Sequence, residues 1–597
     1  MALNIKQQRA QRAQGHTRII AGPGTGKTTL LIARCEHLLK DPKARLGLVT
    51  FATAAADEMR QRLNDGCSSK RVTVSTFDAL ARQQVMSTIR GRRPPRAFEK
   101  RLLIQKTMAH LGSDMNEDQA SELIQRLDTY LKPESESDNE LELEFYDTYR
   151  GFLEQDGLMD FCEIARLAVT KMADGEIPCL GVTHLLVDEF QDTSPIQMEW
   201  LQAHWEAGVE ITTVGDDDQS IFGFRQAMGY PGMEIFGLST GASDFVLDGC
   251  YRCAPEIISA ANALIANNRE RLPKQIQSLT APGGKVRHWV FESDEHEFVA
   301  LNAFIQNATE HGPEKTIAIL ARNNYVLDAV EAQLRIAGVH LRRVGGRSIW
   351  DKPGGSLMLN LVELATQSGP NRLGTLMTVL RWAHAGEAVM NDYRDYISAN
   401  GWFAGLPETA QKDRVIHHFA DVFTTWASMI HEGLAEPALD CMQDWIDANC
   451  RTNEESKVSK LAAQSLRPRA GQSLRARMAQ IQQSQSRGKN APDTPLVELI
   501  TMHGSKGCEW ESVWITGARE GVVPSKPSLM SEFDGDLLVI EEERRLFYVA
   551  TTRAKRVLVI AATQTSPSRF CAETQLRALV HPKNHAERLW GSETCQQ

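Results

Sequence analysis

From Ile19 to Leu30 the chain reads Ile-Ile-Ala-Gly-Pro-Gly-Thr-Gly-Lys-Thr-Thr-Leu: an apolar lead-in, a glycine-rich turn, and a Lys-Thr pair opening an amphipathic run. Such a turn points consecutive backbone N–H groups at one spot, where they and the N-terminus of the next helix cradle phosphates. At the spacing G-x-x-x-x-G-K-[ST], Lys27 reaches the β- and γ-phosphates of a nucleoside triphosphate and the Thr28 hydroxyl ligates Mg²⁺. The pattern asks for glycine at 21 and finds Ala21, which still fits a tight loop. Residues 183–189 form an apolar run ending in two carboxylates. In open α/β sheets ligands sit beyond the carboxyl ends of strands, so these acids belong beside the phosphate loop. Asp188 is the expected Mg²⁺ partner and Glu189 the base that orients and deprotonates an attacking water. Residues 211–219 repeat the pattern, with Gln219 placed to sense a γ-phosphate or position water. Phe222 and Phe224 follow, two apart and on one face of an extended segment, with Arg225 beside them. That is an arrangement for stacking bases, each stack worth about 1–3 kcal/mol.

These residues need a scaffold of alternating strands and helices. Residues 17–30 read strand, loop, helix; 46–51 and 72–77 read as strands and 54–63 as a helix between them, which argues a parallel sheet with crossover helices. From about 80 to 165 the strand signal gives way to spaced leucines, a helical insertion. A second α/β region has strands expected at 286–291, 316–322, 497–502, 513–518 and 557–562, without a phosphate loop of its own. It is interrupted at about 355–490 by a second helical stretch. Residues 134–144 carry six acids, read as a solvated face, while 465–490 carry five arginines, one lysine and no acid, and fit a solvated linker or a phosphate-contacting surface equally.

Bulk composition sets limits. The chain has 597 residues, 42% hydrophobic and 24% charged, the profile of a soluble multi-domain protein. No apolar run is long enough to span a bilayer, and the N-terminal residues lack a secretory h-region, so a cytoplasmic protein without a membrane partner is expected. The net charge of −10 means that any nucleic-acid partner must be met by local patches. The 11 cysteines are scattered, as expected of reduced thiols; Cys250 and Cys253 have C-x-x-C spacing with no second pair to complete a metal site.

Together these motifs resemble a superfamily 1 DNA helicase of the UvrD/Rep/PcrA type. Residues 3–10 (LNIKQQRA) are similar to the family's adenine-reading Q motif, which makes Gln7 the base contact. The phosphate loop takes in Ala21, Gly22, Pro23, Gly24, Thr25, Gly26, Lys27, Thr28 and Thr29, and Arg34 sits where the resemblance expects a nucleotide-contacting arginine. Residues 187–193 resemble motif II and 214–227 motif III. In DGCYRCAPEII, Tyr251 would stack on adenine and Arg252 would meet the γ-phosphate. Residues 499–517 resemble motif V, with Glu509 near the ribose, and 541–556 motif VI, with Arg553 as a second arginine finger.

The resemblance implies an α/β fold of two RecA-like P-loop domains, each with a mainly helical insertion. Residues 1–80 and 166–250 would form domain 1A, 81–165 insertion 1B, 251–354 and 491–570 domain 2A, 355–490 insertion 2B, and 571–597 a C-terminal tail. It implies an ATP-dependent 3′-to-5′ helicase and single-stranded DNA translocase with ATP and Mg²⁺ as cofactors. Its substrates would be single-stranded and 3′-tailed duplex DNA in repair, replication or recombination, with a protein partner reached through 2B. The DNA contacts it implies are Thr53, Thr76, Phe77, Phe222, Phe224, Arg225, Arg322 and His503. The chain departs from the family's usual residues at Thr53-Ala54 and Asp78, in motifs that touch DNA, and carries phenylalanine at 222 and 224 where tyrosine and tryptophan are usual. A different class, an ATP-switched DNA sensor without productive unwinding, shares the binding motifs; the set Glu189, Gln219, Arg252 and Arg553 favours turnover.

Overall fold

Parallel strands buried on both faces need nearly continuous apolar sequence. Thr17–Ala21 (β1) and Leu46–Thr50 (β2) are buried along their whole length. They join Val72–Thr76 (β3), His184–Val187 (β4), Glu210–Gly215 (β5) and Ser243–Leu247 (β6) in a six-stranded sheet of order β3-β2-β4-β5-β1-β6, parallel throughout. The computed structural model describes residues 3–64, 71–86, 89, 91–137, 139–310, 316–366, 372–401, 405–450, 452–468, 471–490 and 497–581.

Strand order decides where the chemistry lies. β5 pairs with β1 on one side (Ile20 opposite Gly215) and with β4 on the other (Val187 opposite Thr213). The segments that follow β1, β4 and β5 therefore leave the sheet side by side at one edge. Leu185, Val187, Ile211, Phe190 and Trp200 bury one face of this sheet, and Ile19, Leu48, Leu186, Val214 and Leu30 the other.

The chain divides into two compact units. The first takes the described residues up to Gly284 together with Pro527–Thr552 and Glu573–Gln575; the second takes Lys285–Lys526, Arg553–Ala572 and the described residues from Leu576. The sequence placed the boundary at 250, whereas residues 251–284 pack with the first unit. There Gly249–Cys250 (β7) and Gln277–Ser278 (β8) pair in a small parallel sheet. Helices Ala97–Leu111, Glu117–Asp128 and Glu140–Gln155 form the first helical insertion around Leu103, Leu123, Ile124, Phe145 and Tyr149. Within the acidic stretch, Asn139 caps the last of these helices and Glu142 pairs with Arg126, so these residues serve the local helix ends.

The second unit holds Lys285–Phe291 (β9), Ile317–Ala321 (β10), Leu341–Arg343 (β11), Val497–Thr501 (β12), Trp510–Ile515 (β13), Ala554–Thr563 (β14) and Ala578–Val580 (β15). They form a parallel sheet of order β11-β12-β10-β13-β14-β9-β15. β15 falls in the stretch expected to be a tail; the rest of that stretch, from 582 onward, lies outside the described residues. β6, β11 and β15 escaped the sequence reading because short, partly exposed strands carry no apolar run. The second helical insertion closes around Leu361, Phe419, Trp426 and Trp445. Two arginines of the basic stretch are engaged within it: Arg477, 1% exposed, donates to the Ser465 carbonyl, and Arg467 pairs with Asp440. Arg469 and the side chains of 484–490 lie outside the described residues. No helix among the described residues is long and apolar enough to cross a membrane.

One buried acid gives the second unit a pH signature. Glu297 is 2% exposed, its Oε1 accepting from the Trp514 indole N–H at 3.0 Å, and burial pushes its carboxyl from 4.5 up to about 7. Between those values the folded state keeps a proton that the unfolded chain has released, so this carboxyl's contribution is full below about pH 4.5 and is lost as pH rises through 7. Glu297→Gln should match the parent near pH 4.5 and exceed it by roughly 2–3 kcal/mol at pH 8. Urea midpoints measured across that range check this, and parallel curves for the two proteins would contradict it.

Candidate nucleotide site and nucleic-acid interface

The phosphate loop leaves β1 at Ala21, which is fully buried and paired with Leu247. Position 21 therefore ends a strand, and alanine costs nothing there. Gly22 lets the Ile276 side chain pack closely, because a Cβ there would come within 2.2 Å of its Cδ1 and push it aside. Gly24 and Gly26 have φ of +65° and +83°, the left-handed region that glycine enters without strain. A Cβ on Gly24 would also collide with Arg252 at 2.6 Å. The Thr25 hydroxyl donates to the Gly22 carbonyl at 2.8 Å, and helix Lys27–Leu38 begins directly after the loop. Thr28 lies in its first turn and is half-buried; Thr29 is exposed.

The Q-motif residues reach this loop. Gln7 Nε2 donates to the Thr25 carbonyl at 3.0 Å, and its Oε1 accepts from the Asn4 N–H at 2.9 Å, so both ends of the amide are engaged. Asn4 Nδ2 donates to the Tyr251 hydroxyl at 3.0 Å, while the Tyr251 N–H donates to the Gly24 carbonyl at 2.9 Å. Gln7, the loop, and the adjacent Tyr251 and Arg252 thus come together from three segments of the first unit. Cys250 and Cys253, both fully buried, flank that tyrosine and arginine. The Cys253 thiol and backbone N–H groups pull the Cys250 thiol down to about 6 against the effect of burial, and Cys253 Sγ donates to the Thr552 carbonyl at 3.3 Å.

At the end of β4 the two carboxylates differ. Asp188 is 7% exposed, and burial, reinforced by the charge of Glu189, pushes its carboxyl up to about 7. Glu189 adopts φ 49°, ψ 43°, a left-handed conformation uncommon outside glycine and characteristic of functional turns. This turns its side chain toward the phosphate loop, where Oε2 lies 3.4 Å from the Lys27 ammonium. The same oxygen accepts from Gln191 Nε2 at 2.7 Å, and Gln191 Oε1 accepts from the Asp216 N–H at 2.9 Å. A fully buried glutamine therefore ties the end of β4 to the end of β5.

Beyond β5 the turn 216–225 is held on every side within the first unit. Gln219 Nε2 donates to Asp216 Oδ2 at 2.6 Å. The Lys274 ammonium, with no exposed side-chain surface, lies 3.2, 2.5 and 2.8 Å from the carboxylates of Asp216, Asp217 and Asp218. Arg271 adds a bidentate pair to Asp218, and the Leu272 N–H donates to Asp217. Burial opposes the charge on Lys274, but the three carboxylates outweigh it and raise its proton affinity. Helix Leu538–Thr551 fixes the far half: Arg545 Nε donates to the Ser220 carbonyl at 2.9 Å, and Glu542 Oε1 accepts from the Gly223 N–H at 3.0 Å.

At the end of this turn the aromatic pair departs from expectation. Gly223–Arg225 is a 3₁₀ turn, so Phe222 and Phe224 do not line one face of an extended segment. Their rings meet edge to face at 5.9 Å, with the Arg225 guanidinium 5.5 and 5.6 Å from the two centroids. Phe224 is 56% exposed and Gln125 Nε2 holds its carbonyl, which leaves one open aromatic face backed by a cation.

Two expected contacts are structural instead. Arg34 is fully buried: Nε donates to the Thr212 hydroxyl, Nη1 to the carbonyls of Ala10, Gln11 and Ala13, and Nη2 to the Thr17 hydroxyl. Its donors tie the N-terminal helix to β1 and β5. Phe77 is 4% exposed and packs against Phe51 and Trp200 at 5.4 and 5.7 Å, so it belongs to the core. Thr53 is exposed at the start of helix Thr53–Asn64, and Thr76 caps helix Phe77–Val85. In the second unit Arg322 and His503 follow the adjacent strands β10 and β12 at one sheet edge. Glu509 pairs with Lys555 at 2.7 Å, and Arg553, 2% exposed, donates to the Cys508 carbonyl. Gln191, Lys274, Arg271, Glu542 and Arg545 were missed by the sequence reading; the signal for Gln191 was its place two residues beyond Glu189. Phe77→Ala should cost about 3–5 kcal/mol of stability through a core cavity, read by urea denaturation; an unchanged midpoint would return Phe77 to the surface.

Comparisons with known proteins bear on the family of the chain as a whole. The UvrD/REP helicase N-terminal domain model matches residues 3–229, and the UvrD-like helicase C-terminal domain model matches 245–368 and 446–565. The chain is similar to the ATP-dependent DNA helicase PcrA of Leuconostoc citreum, 26% identical with 96% of this chain and 84% of that protein covered. It is 27% identical to DNA helicase II of Escherichia coli (98% and 90% covered) and 25% identical to the ATP-dependent DNA helicase Rep of Buchnera aphidicola subsp. Acyrthosiphon pisum (94% and 94%). With both domain models matched in order across a phosphate-loop sheet and a second parallel α/β sheet, the chain belongs to the UvrD/Rep family of superfamily 1 ATP-dependent DNA helicases.

Proposed function

We propose that the chain hydrolyses ATP at the loop edge of its first sheet and uses the cycle to move 3′ to 5′ along single-stranded DNA, opening 3′-tailed duplexes. The observation that carries this reading is the continuous hydrogen-bonded path from Lys27 through Glu189 and Gln191 to the turn 216–225. Gln219 stands near one end of that turn and the exposed Phe224 face at the other.

In this reading the N–H groups of the loop and Lys27 bind the phosphates, and Tyr251 stacks on the adenine. Gln7 acts by bracing Thr25. Glu189 accepts the proton of the attacking water, and Gln219 holds the water or the γ-phosphate in line. Arg252 stabilises transition-state charge, a contribution of about 10³–10⁵ in related phosphoryl-transfer enzymes, and Arg553 is assigned the same role. Thr28 and Asp188 fit a magnesium ion: both offer hard oxygen donors, and Asp188 is a buried carboxyl whose charged form a cation favours. When bound, that ion neutralises charge on the β- and γ-phosphates. Phe222, Phe224 and Arg225 stack and grip bases, with Arg322 and His503 as further contacts. Opening a base-pair step costs on the order of 1.4 kcal/mol of stacking, well within the yield of one ATP per step.

A cytoplasmic setting and a protein partner docking on the insertion at 355–490 belong to the same proposal. The comparisons favour it over a switch-only DNA sensor.

Lys27→Ala and Glu189→Gln should each lower DNA-stimulated ATPase at least about 100-fold while leaving the fold intact. Normal turnover in either purified variant would remove these residues from the chemistry. On tailed duplexes, unwinding should be strong with a 3′ tail and weak with a 5′ tail; the reverse preference would refute the polarity.

A further inference from the structure

We propose that Lys274 is a positioning residue for ATP hydrolysis, acting through Asp216 to fix the amide of Gln219. The inference rests on the assignment of Gln219 to the hydrolytic step and deepens it.

Asp216 stands where two hydrogen-bond paths cross. Its backbone N–H donates to Gln191, which holds Glu189, while its carboxylate takes the Gln219 amide on one oxygen and Lys274 on the other. An ionised carboxylate only accepts, so it selects the nitrogen end of the Gln219 side chain and directs the carbonyl oxygen away from itself.

Among the described residues, Lys274 is the cation paired with Asp216. Asp218 has Arg271 as a second cation, and Asp217 has the Leu272 N–H as a second donor. Asp216 keeps only neutral donors, the Asp218 N–H at 3.3 Å and the Gln219 amide at 2.6 Å, so among the described residues removing Lys274 takes away the cation that faces its carboxylate. The three ammonium hydrogens match three carboxylates at 2.5–3.2 Å, a geometry that the planar fork of arginine does not reproduce. Buried ionic clusters of this kind seldom add stability over an apolar core of equal volume and are better explained by the arrangement they impose.

The test is a pair of double-mutant cycles on the ATPase of the full chain at saturating single-stranded DNA, using Lys274→Met, Asp216→Asn and Gln219→Ala alone and each of the first two combined with Gln219→Ala. Each single change should lower kcat by about tenfold or more with KM for ATP within about threefold. In the Gln219→Ala background, Lys274→Met and Asp216→Asn should add no further loss, because their effect passes through the missing amide. Losses that multiply would overturn the proposal, as would a raised KM with kcat unchanged. If Gln219→Ala alone turns over normally, it is the underlying assignment of Gln219 that fails. Asp216→Asn, which preserves shape, carries the test if Lys274→Met does not fold.

Discussion

The two hydrogen bonds of the Gln191 amide are the constraint on which the hydrolytic edge depends. One end holds Glu189 and the other holds the backbone of Asp216, so a single buried side chain sets the spacing between the loops that leave β4 and β5. Because β5 lies between β1 and β4, that spacing also sets the depth at which Glu189 meets Lys27. A buried amide with an unmade bond costs about 1–3 kcal/mol. The arrangement with both ends satisfied is therefore strongly preferred over neighbouring geometries, and the left-handed Glu189 is tolerated within it.

From Asp216 to Arg225 the chain then runs from nucleotide chemistry to an open aromatic face in one short, braced turn. Lys274 and Arg271 brace its first half through carboxylates, and Arg545 and Glu542 brace its second half through backbone groups. Gly223 leaves room for Glu542 as placed: a Cβ there would lie 2.4 Å from its carboxylate and displace it. These contacts hold both halves of the turn within the first unit. In the proposed mechanism this braced turn links the Gln219 sensor to the aromatic grip on DNA.

Much of this was legible in the sequence where the signal is local. The apolar runs that became β1, β2, β4, β5, β10, β12 and β13, the glycine spacing at 22–26 and the carboxylates at 188 and 189 are contiguous patterns with one dominant physical cause each. What failed depends on tertiary surroundings. Arg34 and Phe77 occupy positions where a charged or aromatic side chain can face a ligand or the interior, and nothing in their neighbours distinguishes the two. Phe222 and Phe224 were assigned an extended backbone that the 3₁₀ turn replaces. Lys274 was invisible because its closest carboxylate, on Asp217, is 57 residues away in the chain, and a lone lysine in a loop has no periodicity.

The account stands on hydrolysis being coupled to DNA through the turn 216–225. The most direct test is the steady-state ATP turnover of the full chain alone and with single-stranded DNA, duplex DNA or RNA at matched nucleotide concentration. Single-stranded DNA should raise turnover about tenfold or more, in the usual range for coupled sites, with blunt duplex and RNA giving much less. Equal turnover with and without single-stranded DNA would contradict the account.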